Sequence, residues 1–244
     1  MIGKLLGLAA LIAVAACGQE VPPTTRAVPT PAAPAESVSV PPEVAPHRPN
    51  VVRVTVPTPS CAKDRAQGTG FAYSPDRVLT TAHVVAGADG PITVTGADGR
   101  RHQGDVVVFD PKRDVAVLRV PGLDADFLSF DSADPGERAT FAAYSKDGEF
   151  TVRSGRTGTP QTAVGNDIYN EHIVERQVFL VHAAVDPAMS GAPLFGPDGD
   201  VVGMVFASNL DDSVSGWVIS TGEIAHPGRK GLKATAAVSA RKCV

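Results

Sequence analysis

Between residues 51 and 244 the sequence alternates short apolar segments with turn residues. Turn sequences such as Ser74-Pro75-Asp76 and Pro197-Asp198-Gly199-Asp200 separate several of them. The apolar and β-branched segments fall at residues 68–73, 77–81, 92–95, 105–109, 115–120, 140–144, 150–153, 178–185, 193–195, 201–208 and 216–220. Because so many short segments occur without long helical patterns, we predict an all-β fold of one or two antiparallel barrels.

One short helix is predicted near the end of the chain. Ser220-Thr221-Gly222-Glu223 resembles a capping box, which marks a helix start. Pro227 and Gly228 are expected to break this helix. Residues 231–241 fit either a second helical turn or a loop.

The N-terminus has the pattern of an export signal. A short positively charged start at residues 1–4 precedes an apolar stretch at 5–16, which is shorter than the roughly 20 residues that span a bilayer. This is typical of the apolar region of a signal peptide. The stretch ends in Val14-Ala15-Ala16-Cys17, which resembles a bacterial lipobox, in which the cysteine is lipidated. The sequence therefore predicts a membrane-anchored lipoprotein of the cell envelope, facing outside the cytoplasm; an ordinary signal peptide with an incidental cysteine is the alternative.

Residues 18–50 predict a disordered linker. Prolines occupy positions 22, 23, 29, 31, 34, 41, 42, 46 and 49, and no contiguous apolar surface accompanies them. Such a segment suits a tether that holds a folded domain, residues 51–244, away from a membrane. A role of these prolines as a ligand for an SH3-like domain is the alternative.

Two cysteines remain if Cys17 carries lipid. Cys61 lies at the start of the folded region and Cys243 is the penultimate residue of the sequence. In an exported protein this placement predicts a disulfide that ties the two ends of one domain. Two unpaired thiols are the alternative.

Charge and metal-binding patterns exclude several functions. The formal net charge is −4 and no run of Lys or Arg forms a basic stripe, so nucleic acid is not an expected partner. The six histidines are scattered, and neither an H-E-x-x-H nor a C-x-x-C pattern occurs. We therefore predict no metal site and no cofactor.

Three segments contain the residue types of a nucleophilic hydrolase: residues 79–85 with His83, residues 110–118 with Asp114, and residues 187–195 with Ser190. A serine hydroxyl needs a histidine to take its proton, and that histidine needs a carboxylate to fix its tautomer. The order His, Asp, Ser, with gaps of 31 and 76 residues, differs from the orders in subtilisin-like and α/β-hydrolase enzymes. Asp110 is a rival for the carboxylate, although an aspartate before proline is also a common turn residue.

These motifs resemble those of the trypsin-like serine proteases, especially the exported Deg-type and the membrane-anchored actinobacterial enzymes of bacteria. The matching residues are Gly68-Thr69-Gly70-Phe71, Thr81-Ala82-His83, Asp114-Val115-Ala116-Val117-Leu118 and Ser190-Gly191-Ala192-Pro193-Leu194. The resemblance implies a chymotrypsin-like double six-stranded antiparallel β-barrel and a serine endopeptidase that hydrolyses protein or peptide substrates through an acyl-enzyme. The pair Cys61 and Cys243 is similar to that of the actinobacterial group.

The resemblance breaks down just before the nucleophile. Family members usually have glycine two residues before the serine and Asp or Asn directly before it, whereas this chain has Ala188 and Met189. The backbone N–H groups of Ala188 and Ser190 are the implied oxyanion donors. Since alanine lacks the conformational freedom of glycine, the loop is expected to rest in an inactive arrangement or to need substrate to set it. A pseudoprotease that binds or senses peptides in the envelope is therefore the alternative function, and an esterase for small acyl groups is a third.

By the same resemblance, residues 184–188, residues 206–209 and Gly216 line the pocket for the residue before the cut, and Ala184, Phe206, Ala207 and Ser208 are the predicted substrate-binding residues. No acidic residue lies at the predicted pocket floor near Ala184, which predicts a preference for small or apolar residues. Asp186 is expected at the rim, where it would weakly disfavour acidic residues. The sequence makes no prediction of the oligomeric state.

Overall fold

The computed structural model describes residues 39–244 of the protein. Its first six strands form a closed antiparallel barrel: β1 (Val51–Pro57), β2 (Arg65–Ser74), β3 (Arg77–Thr80), β4 (Ile92–Thr95), β5 (Arg101–Asp110) and β6 (Val115–Arg119). The strand order around this barrel is β1-β2-β3-β6-β5-β4. Apolar and polar residues alternate along β1, as expected for a strand with one buried face. Val52, Val54 and Val56 are buried in the barrel interior, while Arg53 and Thr55 lie on the outer face.

The second half of the domain is a seven-stranded sheet in the order β8-β7-β11-β12-β13-β10-β9. Its strands are β7 (Arg138–Tyr144), β8 (Phe150–Arg156), β9 (Gln161–Asn166), β10 (Ile173–Val181), β11 (Pro193–Phe195), β12 (Val201–Ser208) and β13 (Gly216–Ser220). A short bridge joins the ends of β8 and β10, where Gly158 N donates to Leu180 O and His182 N donates to Arg156 O. The all-β prediction is confirmed, and the second unit has one strand more than the predicted six.

Two strands were absent from the sequence prediction. The first is β1, and the second is β9, whose residues are mostly exposed and lack an apolar alternation. The predicted strand at 178–185 is displaced, because β10 starts at Ile173 and ends at Val181. Residues 182–192 instead form the connection to β11.

The described chain contains two α-helices, α1 (Ala82–Val85) and α2 (Thr221–Lys233). Helix α2 begins at the predicted place, although the Ser220 side chain makes no capping hydrogen bond to it. The prediction that Pro227 and Gly228 break it is wrong, because both are buried against the first barrel. Tyr73 Oη donates to the Gly228 carbonyl at 2.8 Å, and Arg77 Nε donates to Gly231 O at 2.6 Å, so barrel side chains bind helix carbonyls and offset the cost of the proline.

Neither of these two helices is long and apolar enough to cross a membrane.

The packed part of the chain begins before the predicted domain start at residue 51. Val44 is fully buried in the core, and a 3₁₀ helix spans Ala45–Asn50. The amide of Asn50 donates to Ala72 O and Asp126 O. Residues 39–50 therefore contribute to the folded domain, whereas the predicted signal peptide, Cys17 and residues 18–38 of the linker lie outside the described residues.

A disulfide joins Cys61 to Cys243 across 182 residues of sequence, as the cysteine placement predicts. It lies directly against Gly87, two residues after α1; a Cβ at that position would come within 2.7 Å of the Cys61 sulfur. Closing a loop of this length contributes about 4–5 kcal/mol in the chain-entropy account of disulfides. The bond therefore braces the region that follows His83.

Candidate active site

Strand register brings His83 and Asp114 together. Strands β3 and β6 are paired neighbours, with Thr80 opposite Ala116. His83 lies three residues after Thr80, and Asp114 lies two residues before Ala116. Both side chains are therefore at the same end of this strand pair. His83 Nδ1 is 2.7 Å from Asp114 Oδ2, and the His83 backbone N–H donates to Asp114 Oδ1 at 2.9 Å. Both carboxylate oxygens therefore orient the same histidine.

The rival carboxylate, Asp110, has a different role. Its Oδ1 accepts the backbone N–H groups of Lys112 and Arg113, and its Oδ2 pairs with the Arg113 guanidinium at 3.0 Å. Asp110 thereby shapes the turn that leads into Asp114. Asp114 itself has a positive φ of 59°, a conformation that aspartate tolerates better than most residues.

The pair changes the proton affinity of the imidazole. Burial disfavours the charged imidazolium, but the negative charge of Asp114 and its hydrogen bond outweigh burial and raise the pKa of His83 above its usual value of 6.5. The Asp114 carboxylate is 4% exposed, so water weakens this interaction little. The arrangement holds Nδ1 protonated and leaves Nε2 as the basic atom of the neutral ring.

Ser190 lies in the connection between β10 and β11, at the end of a 3₁₀ helix at Pro187–Met189. The next residue, Gly191, has a φ of +90°, and a Cβ there would lie 2.0 Å from Thr69 O, so only glycine fits. Thr69 on β2 holds this turn from the first barrel. Its N–H donates to Ser190 O at 2.9 Å, and its hydroxyl donates to Ala188 O at 3.1 Å.

The Ser190 hydroxyl donates to a backbone carbonyl rather than to the histidine. Its Oγ lies 3.2 Å from Phe206 O, at a β-bulge in β12 where the ladder with β13 shifts register. Within residues 39–244 no hydrogen bond joins Ser190 Oγ to His83 Nε2; the contact recorded for that nitrogen is a long one, 3.5 Å, to Thr81 Oγ1. The three predicted catalytic residues thus lie where the barrel meets the seven-stranded sheet. Of the two hydrogen bonds that a triad needs, the one between His83 and Asp114 is formed within the described residues.

The predicted oxyanion donors are also engaged differently. The Ser190 N–H donates to Pro187 O at 3.2 Å, which closes the one-turn 3₁₀ helix. An oxyanion would need that N–H free. Ala188 is buried, with 8% of its surface exposed. In this arrangement the Ser190 N–H is occupied, and the role of Ala188 in causing it stays a prediction.

The predicted substrate pocket has its walls in contact. Val185 packs onto Gly216 so closely that a Cβ on Gly216 would lie 2.2 Å from Val185 Cγ2. Phe206, Ala207 and Ser208 end β12 beside this contact and are half-buried, as is Ala184. The side chain of Val185 therefore covers Gly216 on the side where the pocket was predicted.

Asp186 does not stand free at the rim. Its carboxylate pairs with the Arg153 guanidinium at 3.1 Å, and the same guanidinium donates to Ala184 O at 2.7 Å. Sequence reasoning missed Arg153 and the role of Thr69. Thr69 lies inside the Gly68–Phe71 motif, which was a usable signal, whereas nothing around Arg153 in the sequence marks it.

Two other features of the described chain, an acidic cluster and an apolar cavity, lie apart from the three catalytic candidates. Ligand atoms of Asp167, Glu171 and His172 lie within 4.8 Å of one another and could hold a metal ion. Burial disfavours the Asp167 carboxylate, but hydrogen bonds from the backbone of Glu171 and from His172 outweigh it and lower its pKa to about 2. Glu171 pairs with Arg241 and Lys242, so protein groups already satisfy these carboxylates. An apolar cavity of about 600 Å³ between α2 and residues 127–132 is lined by none of the three catalytic candidates.

Comparison with known proteins places the chain in a family. The model of the trypsin-like peptidase domain family matches residues 68–204. Serine protease Rv3671c of Mycobacterium tuberculosis is 38% identical over 206 residues, which cover 83% of this chain and 51% of the relative. A probable periplasmic serine endoprotease, DegP-like, of Chlamydia pneumoniae is 31% identical over 150 residues, covering 59% of this chain and 29% of the relative. The chain thus spans about half or less of the length of these curated relatives.

Solved structures agree with the sequence relatives. The active form of the Rv3671c protease from M. tuberculosis is similar with a TM-score of 0.79 and 36% identity, covering 89% of this chain and 100% of that structure. The inactive form has a TM-score of 0.67 and 35% identity, covering 78% and 92%. The likeness confirms the protease fold that the motifs implied. The chain belongs to the trypsin-like serine protease family.

Proposed function

We propose that the protein is an exported serine endopeptidase that hydrolyses peptide bonds through an acyl-enzyme formed on Ser190. The observation that carries the proposal is the His83–Asp114 pair, whose 2.7 Å contact and second backbone hydrogen bond fix the imidazole beside the Ser190 turn. A pair of this kind orients a general base for a serine nucleophile.

The reaction would begin with a rearrangement of Ser190. Its hydroxyl must leave Phe206 O and turn to His83 Nε2, and the Pro187 carbonyl must release the Ser190 N–H. His83 then takes the hydroxyl proton while Oγ attacks the substrate carbonyl carbon. The N–H groups of Ala188 and Ser190 would stabilise the oxyanion.

Breakdown of the tetrahedral intermediate follows from the same pair. His83 gives its proton to the leaving amine, the C–N bond breaks, and the acyl group stays on Oγ. Water then attacks the acyl carbon, with His83 again as the base, and releases the acid. Asp114 keeps its negative charge and stabilises the imidazolium in both steps.

A fluorophosphonate probe tests this proposal, because it phosphonylates only an activated serine with loss of fluoride. We expect labelling of the wild type and none of Ser190→Ala. Ser132→Ala, which changes an exposed serine outside the site, is the matched control and should label fully. Folded wild-type protein that stays unlabelled would overturn the proposal.

A second candidate function is a peptide-binding module without turnover. It is favoured by the two bonds that Ser190 makes to Phe206 O and Pro187 O, both of which oppose catalysis. This alternative predicts that peptides bind with equal affinity to wild type and Ser190→Ala, and that no product forms.

We also propose that a lipid on Cys17 anchors the protein to a membrane. The lipobox-like sequence that ends at Cys17 supports this proposal. Cells fed an alkyne fatty acid should incorporate it into the wild type but not into Cys17→Ala, and the variant should move to the soluble envelope fraction. Equal incorporation in both proteins would refute the anchor.

A further inference from the structure

A cationic surface extends outward from the catalytic cleft. His83, Pro187 and Ala188 line a cavity of about 500 Å³ whose other wall includes Arg65 and Gln67 at the start of β2. Arg65 and Gln67 also line a neighbouring cavity of about 460 Å³ on the outer face of the first barrel. The two cavities therefore adjoin at Arg65 and Gln67, and we call the two together the path from His83.

Strand register places two more arginines in the second cavity. Arg53 on β1 is paired with Thr95 on β4, and Thr95 is paired with Arg101 on β5. Paired residues on adjacent strands point to the same face, and neighbouring strands lie about 4.8 Å apart. The two arginines consequently flank Thr95, with Thr55 and Thr93 in the next row. We call Arg53, Arg65 and Arg101, with these threonines, the arginine surface.

Within the described chain these three arginines are unpaired. None of them forms a salt bridge or a side-chain hydrogen bond, and the Nε of Arg53 is buried without a partner. Seven other arginines do form salt bridges: Arg77, Arg100, Arg113, Arg119, Arg138, Arg153 and Arg241. Asp64 is the one carboxylate side chain that lines either cavity, and no ion pair joins it to the arginine surface.

This concentration of charge is unexpected for the protein. The whole chain has a net charge of −4, yet the path from His83 is lined by Lys63, Arg65 and then Arg53 and Arg101. A buried guanidinium N–H without an acceptor costs free energy. The buried Nε itself is out of a ligand's reach, but ligand carboxylates would accept hydrogen bonds from the accessible guanidinium groups and threonine hydroxyls that line this cavity.

The side of the scissile bond that faces this path follows from the chemistry. His83 must deliver a proton to the leaving amine, so the leaving segment passes the cavity that His83 lines. The acyl segment is expected on the other side of Ser190, near Phe206, Ala207 and Ser208, and no residue of β12 lines either cavity.

We propose that the arginine surface binds acidic side chains of the substrate segment that follows the scissile bond. The inference rests on the proposed endopeptidase function and deepens it. The protein should prefer substrates with Asp or Glu downstream of the cut.

The test uses matched peptides. A peptide that the protein cleaves is remade with one glutamate at successive positions after the cut, and each version is compared with its glutamine counterpart by kcat/KM. We expect glutamate to be favoured at one or more of these positions, up to about fivefold for each charge pair. The preference should vanish at about 1 M salt, where screening extends over only a few ångströms.

Variants locate the preference on the protein. Arg65 and Arg101 are exposed, so Arg65→Gln and Arg101→Gln should fold normally. In each variant the ratio of kcat/KM for the glutamate peptide to kcat/KM for the glutamine peptide should fall towards one. Arg229→Gln is the matched control, because Arg229 is an exposed arginine without a salt bridge that lines the separate cavity beside α2. It should retain the full preference.

A binding measurement separates this inference from the proposed function. Fluorescence anisotropy with Ser190→Ala compares a glutamate peptide with its glutamine counterpart without turnover. If the wild type cleaves both peptides equally, or if the two arginine variants keep the preference, the inference is overturned while the peptidase function stands. If no peptide is cleaved and no probe labels Ser190, the function fails; tighter binding of the glutamate peptide would still support the arginine surface, and equal binding would overturn it.

Discussion

The two halves of the candidate active site differ in how they are held. Asp114 and Ser190 are both buried, at 4% and 3% exposure, so burial does not distinguish them. Asp114 directs both oxygens to His83, whereas Ser190 directs its hydroxyl and its N–H to backbone carbonyls of the second half of the domain. The acid–base pair is preset, and the nucleophile is not.

Their scaffolds explain the difference. His83 and Asp114 lie within a few residues of paired strands in a closed barrel, and the disulfide braces the chain just after α1. Ser190 lies in the connection of residues 182–192, which contains no strand. Connecting segments are in general more mobile than the strands that they join. Under the proposed function, catalysis therefore depends on a rearrangement of this connection, while the barrel already holds the His83–Asp114 pair.

The largest expected effect comes from disrupting the His83–Asp114 pair. Asp114→Asn should lower kcat by about 10⁴, because the amide would favour the wrong tautomer of His83 and could not stabilise the imidazolium. Steady-state cleavage of a peptide measures this loss. Asp110→Asn is the matched control, since its remaining side-chain oxygen can still accept the N–H groups of Lys112 and Arg113. A large loss in the control and a small one in Asp114→Asn would reverse the assignment.

The sequence predicted the preset half well for a physical reason. A triad needs particular residue types in a particular order, and the strand segments that flank His83 and Asp114 have strong apolar patterns. The Cys61–Cys243 pair could also be predicted, because the two cysteines lie at the two ends of the folded region. Where an element has no such pattern, as in β9, or where distant contacts override a local rule, as at Pro227, the prediction failed.

No residue pattern in the sequence predicts the conformation of the connection that contains Ser190. Replacement of the usual glycine by Ala188 indicated a problem, but the acceptors that hold the loop, Pro187 O and Phe206 O, are backbone groups that any sequence offers. The partner of Asp186, Arg153, comes from a strand 33 residues earlier in the chain. Which conformation prevails depends on a balance of a few kcal/mol between such contacts, and residue identity does not reveal that balance.

A smaller effect is expected from a substitution in the connection that contains Ser190. Ala188→Gly should raise the rate of fluorophosphonate labelling by about tenfold, because glycine removes the cost of about 1–3 kcal/mol that alanine would incur in a conformation with a free oxyanion site. Ala188→Ser retains a Cβ and should show no gain. If glycine brings no increase, or if serine brings the same one, strain at position 188 is not what holds the loop.

The smallest effect is a shift in the pH dependence of kcat/KM, which tests the His83–Asp114 pair with both residues in place. Because the pKa of His83 is raised above 6.5, the imidazole stays protonated to higher pH, and kcat/KM should rise with a midpoint above that value. Stability has the opposite sign: the ion pair contributes fully below the unfolded pKa of about 6.5 and its contribution is lost as pH rises through the folded pKa. Asp114→Asn should shift the activity midpoint downward, whereas Asp167→Asn, which alters the separate pair with His172 at 2.8 Å, should leave it unchanged. A wild-type midpoint below 6.5, or one that Asp114→Asn does not move, would mean that the carboxylate does not control the general base.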